Sequence, residues 1–173
     1  PMDNETFRSR LSGMAVGLLT PFDEDGRIQH DQLAANAEAL RDRGATTFLA
    51  CANISEYHSL SHKERVVITE TSVDALDDAL ILAGVGGSTK TAIDLIEAYE
   101  AIGVDSHMVM PPEHTFKHEV GVVDYYRELA AVADRPLVPY IRGFRPTVET
   151  LVEIAALDGV GGIKYALEDV PLF

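Results

Sequence analysis

Short apolar runs alternate with amphipathic segments along the whole chain, and this alternation limits the folds that the sequence can adopt. The apolar runs predict strands, and the segments between them show helical spacing with capping residues at their starts. Helical crossovers between strands require parallel pairing and right-handed connections. We therefore predict an α/β fold, and both a doubly wound sheet and a (β/α)8 barrel fit this order. The predicted strands are residues 14–20, 46–50, 80–84, 107–110, 137–140 and 160–164.

The charge of the chain argues against some classes of partner. Its 28 acidic residues outnumber its 14 basic residues, so the formal net charge is −14. Such a surface repels nucleic acid and anionic membranes, and we expect neither as a partner. The acidic residues are spread along the chain, which is typical of salt-adapted proteins whose self-repulsion is screened by salt. An ordinary acidic protein of the cytoplasm is the alternative.

Cysteine usage and hydropathy favour a cytoplasmic protein. Cys51 is the only cysteine, so no disulfide can form within the chain, and a small buried thiol is its expected role. No apolar run is long enough to cross a bilayer, and the first residues lack the basic and apolar parts of a signal peptide. We therefore expect a cytoplasmic location.

Candidate site residues follow the predicted strands. Ligands of βα folds bind at the carboxyl ends of the strands, where this chain carries polar side chains. Tyr140 ends the fifth predicted strand and Lys164 ends the sixth. Neighbouring parallel strands lie about 4.8 Å apart, so these two side chains face each other if the strands pair. Other polar residues at such ends are residues 53–58, Arg142 and Arg145.

Lys164 is the strongest candidate for chemistry because it ends an apolar run, and a lysine is seldom buried without a partner or a purpose. A neutral lysine amine can add to a ketone and form a Schiff base, while a neighbouring phenol such as Tyr140 moves protons. Arg145 can hold a substrate carboxylate through two parallel hydrogen bonds. The alternatives are a lysine whose amine reaches water, a tyrosine that only packs its ring, and a solvated arginine.

Two motifs that suggest a cofactor or a metal do not meet the spacing that such sites require. Residues 84–91 are rich in glycine but lack the glycine before Lys90 that a P-loop needs. The scattered histidines do not form a zinc-binding pattern. We therefore expect no cofactor and no metal ion. Glu56 is a candidate general base, or else a carboxylate that satisfies backbone N–H groups.

Several segments resemble, in the same order, the dihydrodipicolinate synthase and N-acetylneuraminate lyase family of class I aldolases. Residues 19–26, LTPFDEDG, are similar to the family's T-P-F-x-x-D-G, and residues 56–65, EYHSLSHKER, resemble its G-E-x-x-S-L-S-x-x-E-R stretch. Three further segments resemble parts of the family's sequence in the same order, namely residues 83–86 (AGVG), 111–112 (PP) and 162–164 (GIK). The resemblance covers nearly the whole chain and implies a TIM (β/α)8 barrel.

The resemblance also implies roles for individual residues. It makes Lys164 the Schiff-base lysine and Tyr140 the tyrosine of the family's Y-N-x-P segment. The family's carboxylate-binding turn, G-T-T-G-E, is Ala-Asn-Ile-Ser-Glu here, so both threonines and both glycines are replaced. The backbone N–H groups of the third and fourth positions of this turn, Ile54 and Ser55, remain as carboxylate ligands. The substrate-binding residues implied in this way are Asn53, Ile54, Ser55 and Glu56, with Arg145.

We therefore predict a Schiff-base lyase or dehydratase that acts on a 2-keto acid, either pyruvate-type or a keto-deoxy sugar acid. The pattern Tyr-x-Arg at residues 140–142 favours the branch of the family that dehydrates 5-dehydro-4-deoxyglucarate. The resemblance implies a homo-oligomer, a tetramer. One alternative is a catalytically degenerate member that binds a small acid or serves as an assembly subunit. Another is a metal-dependent aldolase that uses the rim histidines.

The length of the chain does not match the barrel that the resemblance implies. A barrel of this type needs roughly 250 residues, and the chain has 173. We predict that residues 1–173 form a single (β/α) barrel domain with about six βα units, incomplete at the C-terminus. The first and last predicted strands would then be edges of the sheet.

Overall fold

Six parallel strands form one sheet in the order β1-β2-β3-β4-β5-β6. The computed structural model describes residues 4–168. Each strand pairs with its neighbour in sequence, whereas a doubly wound sheet reverses its strand order at a switch point. The architecture is therefore a half-barrel, and the barrel prediction is confirmed. The strands are β1 (Ala15–Gly17), β2 (Thr47–Ala50), β3 (Leu80–Val85), β4 (Ser106–Val109), β5 (Leu137–Ile141) and β6 (Lys164–Tyr165).

Helices connect the successive strands and cover the outside of the sheet. Every residue of β2, β3, β4 and β5 is buried, as expected for parallel strands that are covered on both faces. The apolar sides of the helices pack on these strands and complete the core. The helices are α1 (Asn4–Arg10), α2 (His30–Arg41), α3 (His62–Ala75), α4 (Thr89–Ile102), α5 (Glu119–Val132) and α6 (Val148–Ala155).

Capping hydroxyl groups fix where three of these helices begin. The Ser61 hydroxyl accepts a hydrogen bond from the Glu64 N–H, and the Glu64 carboxylate accepts one from the Ser61 N–H. This reciprocal pair is the capping box that the sequence predicts for α3. Ser88 and Thr147 cap α4 and α6 in the same manner, because each hydroxyl accepts a backbone N–H three residues later.

The last strand differs from its prediction. Lys164 begins β6 rather than ending it, and Val160 forms only an isolated bridge with Leu137. The segment before β6 also contacts α1, a helix that the sequence analysis did not predict. The Gly161 carbonyl accepts a hydrogen bond from the Arg8 side chain at 2.8 Å, and a Cβ on Gly161 would lie 2.7 Å from the Phe7 ring. Val160 keeps a parallel bridge to Leu137, with hydrogen bonds from the Leu137 N–H to the Gly159 carbonyl and from the Gly161 N–H to the Leu137 carbonyl, and α1 packs against the segment that follows.

The outermost strands of the described sheet, β1 and β6, pair on one side only within residues 4–168. Two large apolar side chains near β1 are exposed, Met14 by 79% and Leu19 by 61%. None of the helices in this part of the chain combines the length and the apolar character needed to cross a membrane.

Candidate active site

Tyr140 and Lys164 are partners in the register of β5 and β6. The Lys164 Nζ lies 4.4 Å from the centroid of the Tyr140 ring, within the range of a cation–π contact. It also lies 3.5 Å from the Met108 Sδ, which is a weak acceptor. None of the ion pairs formed among residues 4–168 includes Lys164. The predicted neighbourhood of amine and phenol is therefore present.

Tyr140 is held through both its backbone and its side chain. It is 4% exposed, and the Tyr126 hydroxyl donates to its backbone carbonyl at 3.3 Å. The Arg142 Nη1 donates to the Tyr140 hydroxyl at 3.1 Å, so the phenol oxygen accepts a hydrogen bond from a cationic group. The sequence analysis listed Arg142 at the strand end without giving it a role. The i, i+2 spacing was the available signal, because such side chains point to the same face of a strand.

The turn after β2 begins with a 3-10 helix, Asn53–Ser55, and is built around a buried hydroxyl. The Ser55 Oγ accepts the Ala52 N–H at 3.0 Å and donates to the Leu18 carbonyl, which joins the turn to the end of β1. The Ser55 carbonyl in turn accepts the Thr20 hydroxyl at 2.7 Å. The turn thus keeps a fixed shape without the glycines of the family motif.

The two predicted carboxylate ligands in this turn differ in availability. The Ser55 N–H donates to the Ala52 carbonyl at 2.9 Å. The Ile54 N–H has no hydrogen-bond acceptor within the described residues. The Ile54 side chain is 57% exposed and packs over Gly17, where a Cβ would lie 2.4 Å from its Cγ2. If a carboxylate binds at this turn, the Ile54 N–H is therefore the open donor.

A stacked pair supports the second half of the turn. The Arg65 guanidinium lies 3.9 Å above the Tyr57 ring, and its nitrogens donate to both the Tyr57 carbonyl and the Tyr57 hydroxyl. Tyr57 is fully buried, and burial raises the pKa of its phenol. The sequence analysis quoted Arg65 within a motif but gave it no role. Its function in the described structure is to fix the Tyr57–Ser59 helical turn.

Glu56 and Arg145, the other predicted site residues, do not line the cavity at the strand ends or contact the Lys164 amine in any described interaction. Glu56 is exposed and adopts a left-handed conformation with φ of 63°, which allows the chain to turn between the two short helical segments. Arg145 is exposed on the loop between β5 and α6. The roles given to both residues stay predictions.

A cavity of about 250 Å³ opens at the carboxyl ends of β2, β4 and β5. Tyr140 and Asn53 both line it, so two predicted site residues from separate strands share one space. Lys164 is not among the residues that line this cavity, and it contacts the ring of Tyr140, which does line it. The remaining lining residues are His58, Met110, Pro111, Pro112, Glu113, Lys117 and Arg142.

The histidines of the rim take part in local contacts. The His58 Nδ1 lies 3.2 Å from the Glu113 carboxylate, and the His114 Nδ1 lies 2.8 Å from the Phe116 carbonyl. His118 caps α5 by accepting the Val120 N–H. Within residues 4–168, no three histidine, cysteine or carboxylate side chains are grouped closely enough to hold a metal ion.

Cys51 occupies the end of β2 as a fully buried thiol. Burial raises its pKa to about 12, although a hydrogen bond with Tyr99 and the charge of Arg65 act in the opposite direction. The expected role of a small buried thiol is consistent with this environment.

These features define a (β/α) barrel protein with an amine and a phenol paired at the carboxyl ends of neighbouring strands. The sequence profile described as the dihydrodipicolinate synthetase family matches residues 10–172. The chain belongs to that family, and the resemblance noted in the sequence is confirmed.

Alignments with individual relatives show what share of their length this chain covers. A 4-hydroxy-tetrahydrodipicolinate synthase of Natronomonas pharaonis is 31% identical over 98% of the chain, which spans 58% of that relative. A protein of Streptomyces coelicolor named as a probable 5-dehydro-4-deoxyglucarate dehydratase is 31% identical over 93% of the chain and 52% of its own length. The chain thus spans little more than half the length of the curated relatives it matches.

A solved structure of the family has the same arrangement of strands and helices. The dihydrodipicolinate synthase of Acinetobacter baumannii, described as chloride-inhibited and complexed with pyruvate, superimposes with a TM-score of 0.87 at 26% identity. The match covers 92% of this chain and 57% of that one.

Proposed function

We propose that this chain acts on a 2-keto acid as a Schiff-base lyase or dehydratase, with Lys164 as the nucleophile and Tyr140 as the acid and base. The observation that carries the proposal is the position of the Lys164 Nζ, 4.4 Å from the Tyr140 ring centroid. An amine that forms no ion pair with a carboxylate is available to react once it is neutral. The synthase and dehydratase names of the relatives support this reaction class.

The reaction begins with bond formation at the keto carbon. The neutral amine of Lys164 attacks this carbon, and a proton moves from nitrogen to the former carbonyl oxygen to give a carbinolamine. Tyr140 then gives its proton to the departing hydroxyl, water leaves, and a C=N bond forms. The Arg142 guanidinium stabilises the phenolate oxygen that results, because it already donates to this atom at 3.1 Å.

The iminium draws electrons from the neighbouring carbon. The phenolate of Tyr140 can remove a proton there, or the electron pair of a breaking carbon–carbon bond can flow into the C=N bond. The first route leads to loss of a hydroxyl group from the next carbon and hence to dehydration. The second route is aldol cleavage. The Ile54 N–H, in the turn that Ser55 shapes, is the proposed ligand of the substrate carboxylate, and Arg145 on the loop after β5 is a second proposed ligand.

Borohydride trapping tests this function. The full chain is incubated with pyruvate or with a longer 2-keto acid, reduced, digested and analysed by mass spectrometry, at low and at high salt. We expect a reduced adduct on Lys164 that Lys63→Met retains and Lys164→Met loses, since Lys63 lies on α3 away from the cavity. An adduct that persists in Lys164→Met would refute the mechanism.

A degenerate member that binds a small acid without turnover is the second candidate. The replaced threonines of the carboxylate turn favour it, because Asn53 offers no hydroxyl for proton transfer and the Ser55 N–H is already bonded within the turn. Saturable binding of pyruvate by folded protein without any borohydride adduct would select this candidate over the enzyme.

A further inference from the structure

The row of helices around the sheet has two ends, and an apolar groove lies at each end. Neighbouring helices pack on each other in chain order from α2 to α6, so α2 and α6 stand at the ends of the row. The α6 groove, of about 340 Å³, is lined by α6, the segment before β6 and Arg8 of α1. The β1 groove, of about 500 Å³, is lined by β1, the residues after it, α2, Arg43 and Ile54. Neither groove shares a lining residue with the cavity beside Tyr140.

The α6 groove exists because α6 is apolar on two sides. Leu151 and Ile154 are buried in the core, as expected for a helix that covers a sheet. Val148 and Val152 are exposed by 45% and 62%, and both line the groove. A surface helix normally has a single apolar stripe, which faces the core. The second apolar side of α6 therefore indicates a surface for another element.

The β1 groove has the same character at the other end of the sheet. Leu19 and Ile54 line it and are exposed by 61% and 57%, although they adjoin the buried Leu18. The strand beneath them, β1, pairs only with β2 within residues 4–168. Parallel strands are normally covered on both faces and paired on both sides. The exposed apolar side chains thus accompany an unpaired strand edge at this end too.

Each groove also contains an arginine without an acidic partner. Arg8 in the α6 groove donates to the Gly161 carbonyl, and Arg43 in the β1 groove donates to the Ala39 carbonyl, both at 2.8 Å. Both side chains are exposed, and neither forms an ion pair within residues 4–168. The formal net charge of the chain is −14, so unpaired cations at both grooves oppose the general charge. An apolar surface that carries a carboxylate complements either groove.

The number and order of the strands indicate the size of the partner. The six strands are parallel and follow chain order, and eight such strands close a barrel whose interior is filled by side chains. Two βα units supply the difference and pair both edges. A second copy of this chain fits poorly, because it brings six strands and the same two arginines. Pairing β6 of one copy with β1 of the next would also leave an open edge at each end.

We propose that the α6 groove and the β1 groove together dock one separate polypeptide that contributes two βα units. Its helices cover the exposed valines of α6 and the exposed Leu19 and Ile54, and its acidic residues face Arg8 and Arg43. No covalent link is needed, because the half-barrel buries its central strands by itself. The proposal does not rest on the proposed function, although Lys164 lies on the edge strand that this partner would cover.

Co-expression of the full chain with a tagged probe provides the test. The probe is the part of the Natronomonas pharaonis relative that this chain does not match, and the same part of the Streptomyces coelicolor relative is a second probe. We expect the chain to copurify with a probe in a 1:1 complex, measured by light scattering. Amide hydrogen exchange should slow in β1 and β6 on complex formation, because both edges become paired. Failure of both probes to copurify would refute the proposal.

Matched variants connect the complex with the two grooves. Val152→Asp and Leu19→Asp should each weaken the complex by about 10-fold or more, because each places a carboxylate against apolar side chains. Val120→Asp is the control, since Val120 is also 62% exposed but lines neither groove. Arg8→Glu should weaken the complex at low salt and less at high salt. A complex that tolerates all three groove variants would lie on another surface and refute the assignment.

Two further results separate this proposal from its alternatives. If the chain alone forms a dimer that Val152→Asp converts to a monomer, the grooves bind a second copy and the proposal is wrong. Lys164→Met should copurify as well as the unchanged chain, because docking does not require the amine. A complex that forms without any borohydride adduct on Lys164 would support the docking surface and refute the proposed enzyme.

Discussion

The amine of Lys164 and the ring of Tyr140 are brought together by strand register, since the two residues are direct partners on β5 and β6. The sheet therefore places the two backbones side by side, and the Lys164 Nζ lies 4.4 Å from the centroid of the Tyr140 ring. Strand-mounted groups hold their geometry better than groups on loops, which favours a reaction that needs defined positions. The turn that would bind the substrate carboxylate is fixed separately, through the Ser55 hydroxyl.

Replacing Tyr140 with phenylalanine should separate Schiff-base formation from proton transfer. We expect turnover of a 2-keto acid to fall about 10²–10⁴-fold, since this is the usual contribution of a positioned acid or base. The Lys164 adduct should still form, because the amine is unchanged. Steady-state kinetics and borohydride trapping measure the two effects. Tyr125→Phe is the control, since this hydroxyl donates to the Gly87 carbonyl away from Lys164, and unchanged turnover in Tyr140→Phe would refute the role.

Replacing Ser55 with alanine should destabilise the protein and weaken keto-acid binding. The change leaves the Ala52 N–H and the Leu18 carbonyl without the partner that the hydroxyl provides. Each buried group left unsatisfied costs about 1–3 kcal/mol of unfolding free energy. Urea unfolding measures the loss, with Ser59→Ala as the control because Ser59 is exposed. Equal stability of the two variants would show that water replaces the hydroxyl.

Two glycine-to-alanine changes should alter stability in opposite directions. A Cβ on Gly84 in β3 would lie 2.1 Å from the Cys51 carbonyl oxygen and 3.2 Å from the Ala52 Cα. Backbone atoms must then move, so Gly84→Ala should cost about 1–3 kcal/mol. Gly121 lies inside α5 with no atom near the position of a Cβ, so Gly121→Ala should stabilise the protein by about 0.5–1 kcal/mol. Urea unfolding of both variants checks this, and a neutral effect of Gly84→Ala would contradict the predicted clash.

The Cys51 thiol should resist alkylation in the folded protein. Burial raises its pKa to about 12 from an ordinary value of 9.0, so folding favours the protonated thiol. The corresponding stabilisation is complete below about pH 9 and is lost as the pH rises through about 12. Since only the thiolate reacts, alkylation by iodoacetamide at pH 8 should be roughly 10²–10³-fold slower in folded than in urea-unfolded chain. Equal rates in the two states would show that the thiol is accessible.

The sequence by itself determined the order of the elements and the starts of several helices. Apolar runs between capped amphipathic segments predict parallel strands with helical crossovers, because these patterns depend on local periodicity and on local hydrogen bonds. The capping box of α3 and the caps of α4 and α6 are therefore predictable from residues only three apart. The placement of Tyr140 and Lys164 at one rim also follows from strand order alone.

Only the tertiary structure decided how the individual groups of the site are used. The segment before β6 is packed at Gly161 by Phe7 and Arg8, which lie more than 150 residues away in the sequence. The role of Ser55 likewise depends on the Leu18 carbonyl of another segment, so no local pattern reveals it. Arg142 is oriented by its hydrogen bond to the buried Tyr140, and the Asn53 side-chain oxygen is buried without a hydrogen-bond partner among residues 4–168. Local propensity sets the elements, whereas burial and hydrogen bonding between distant segments set the chemistry.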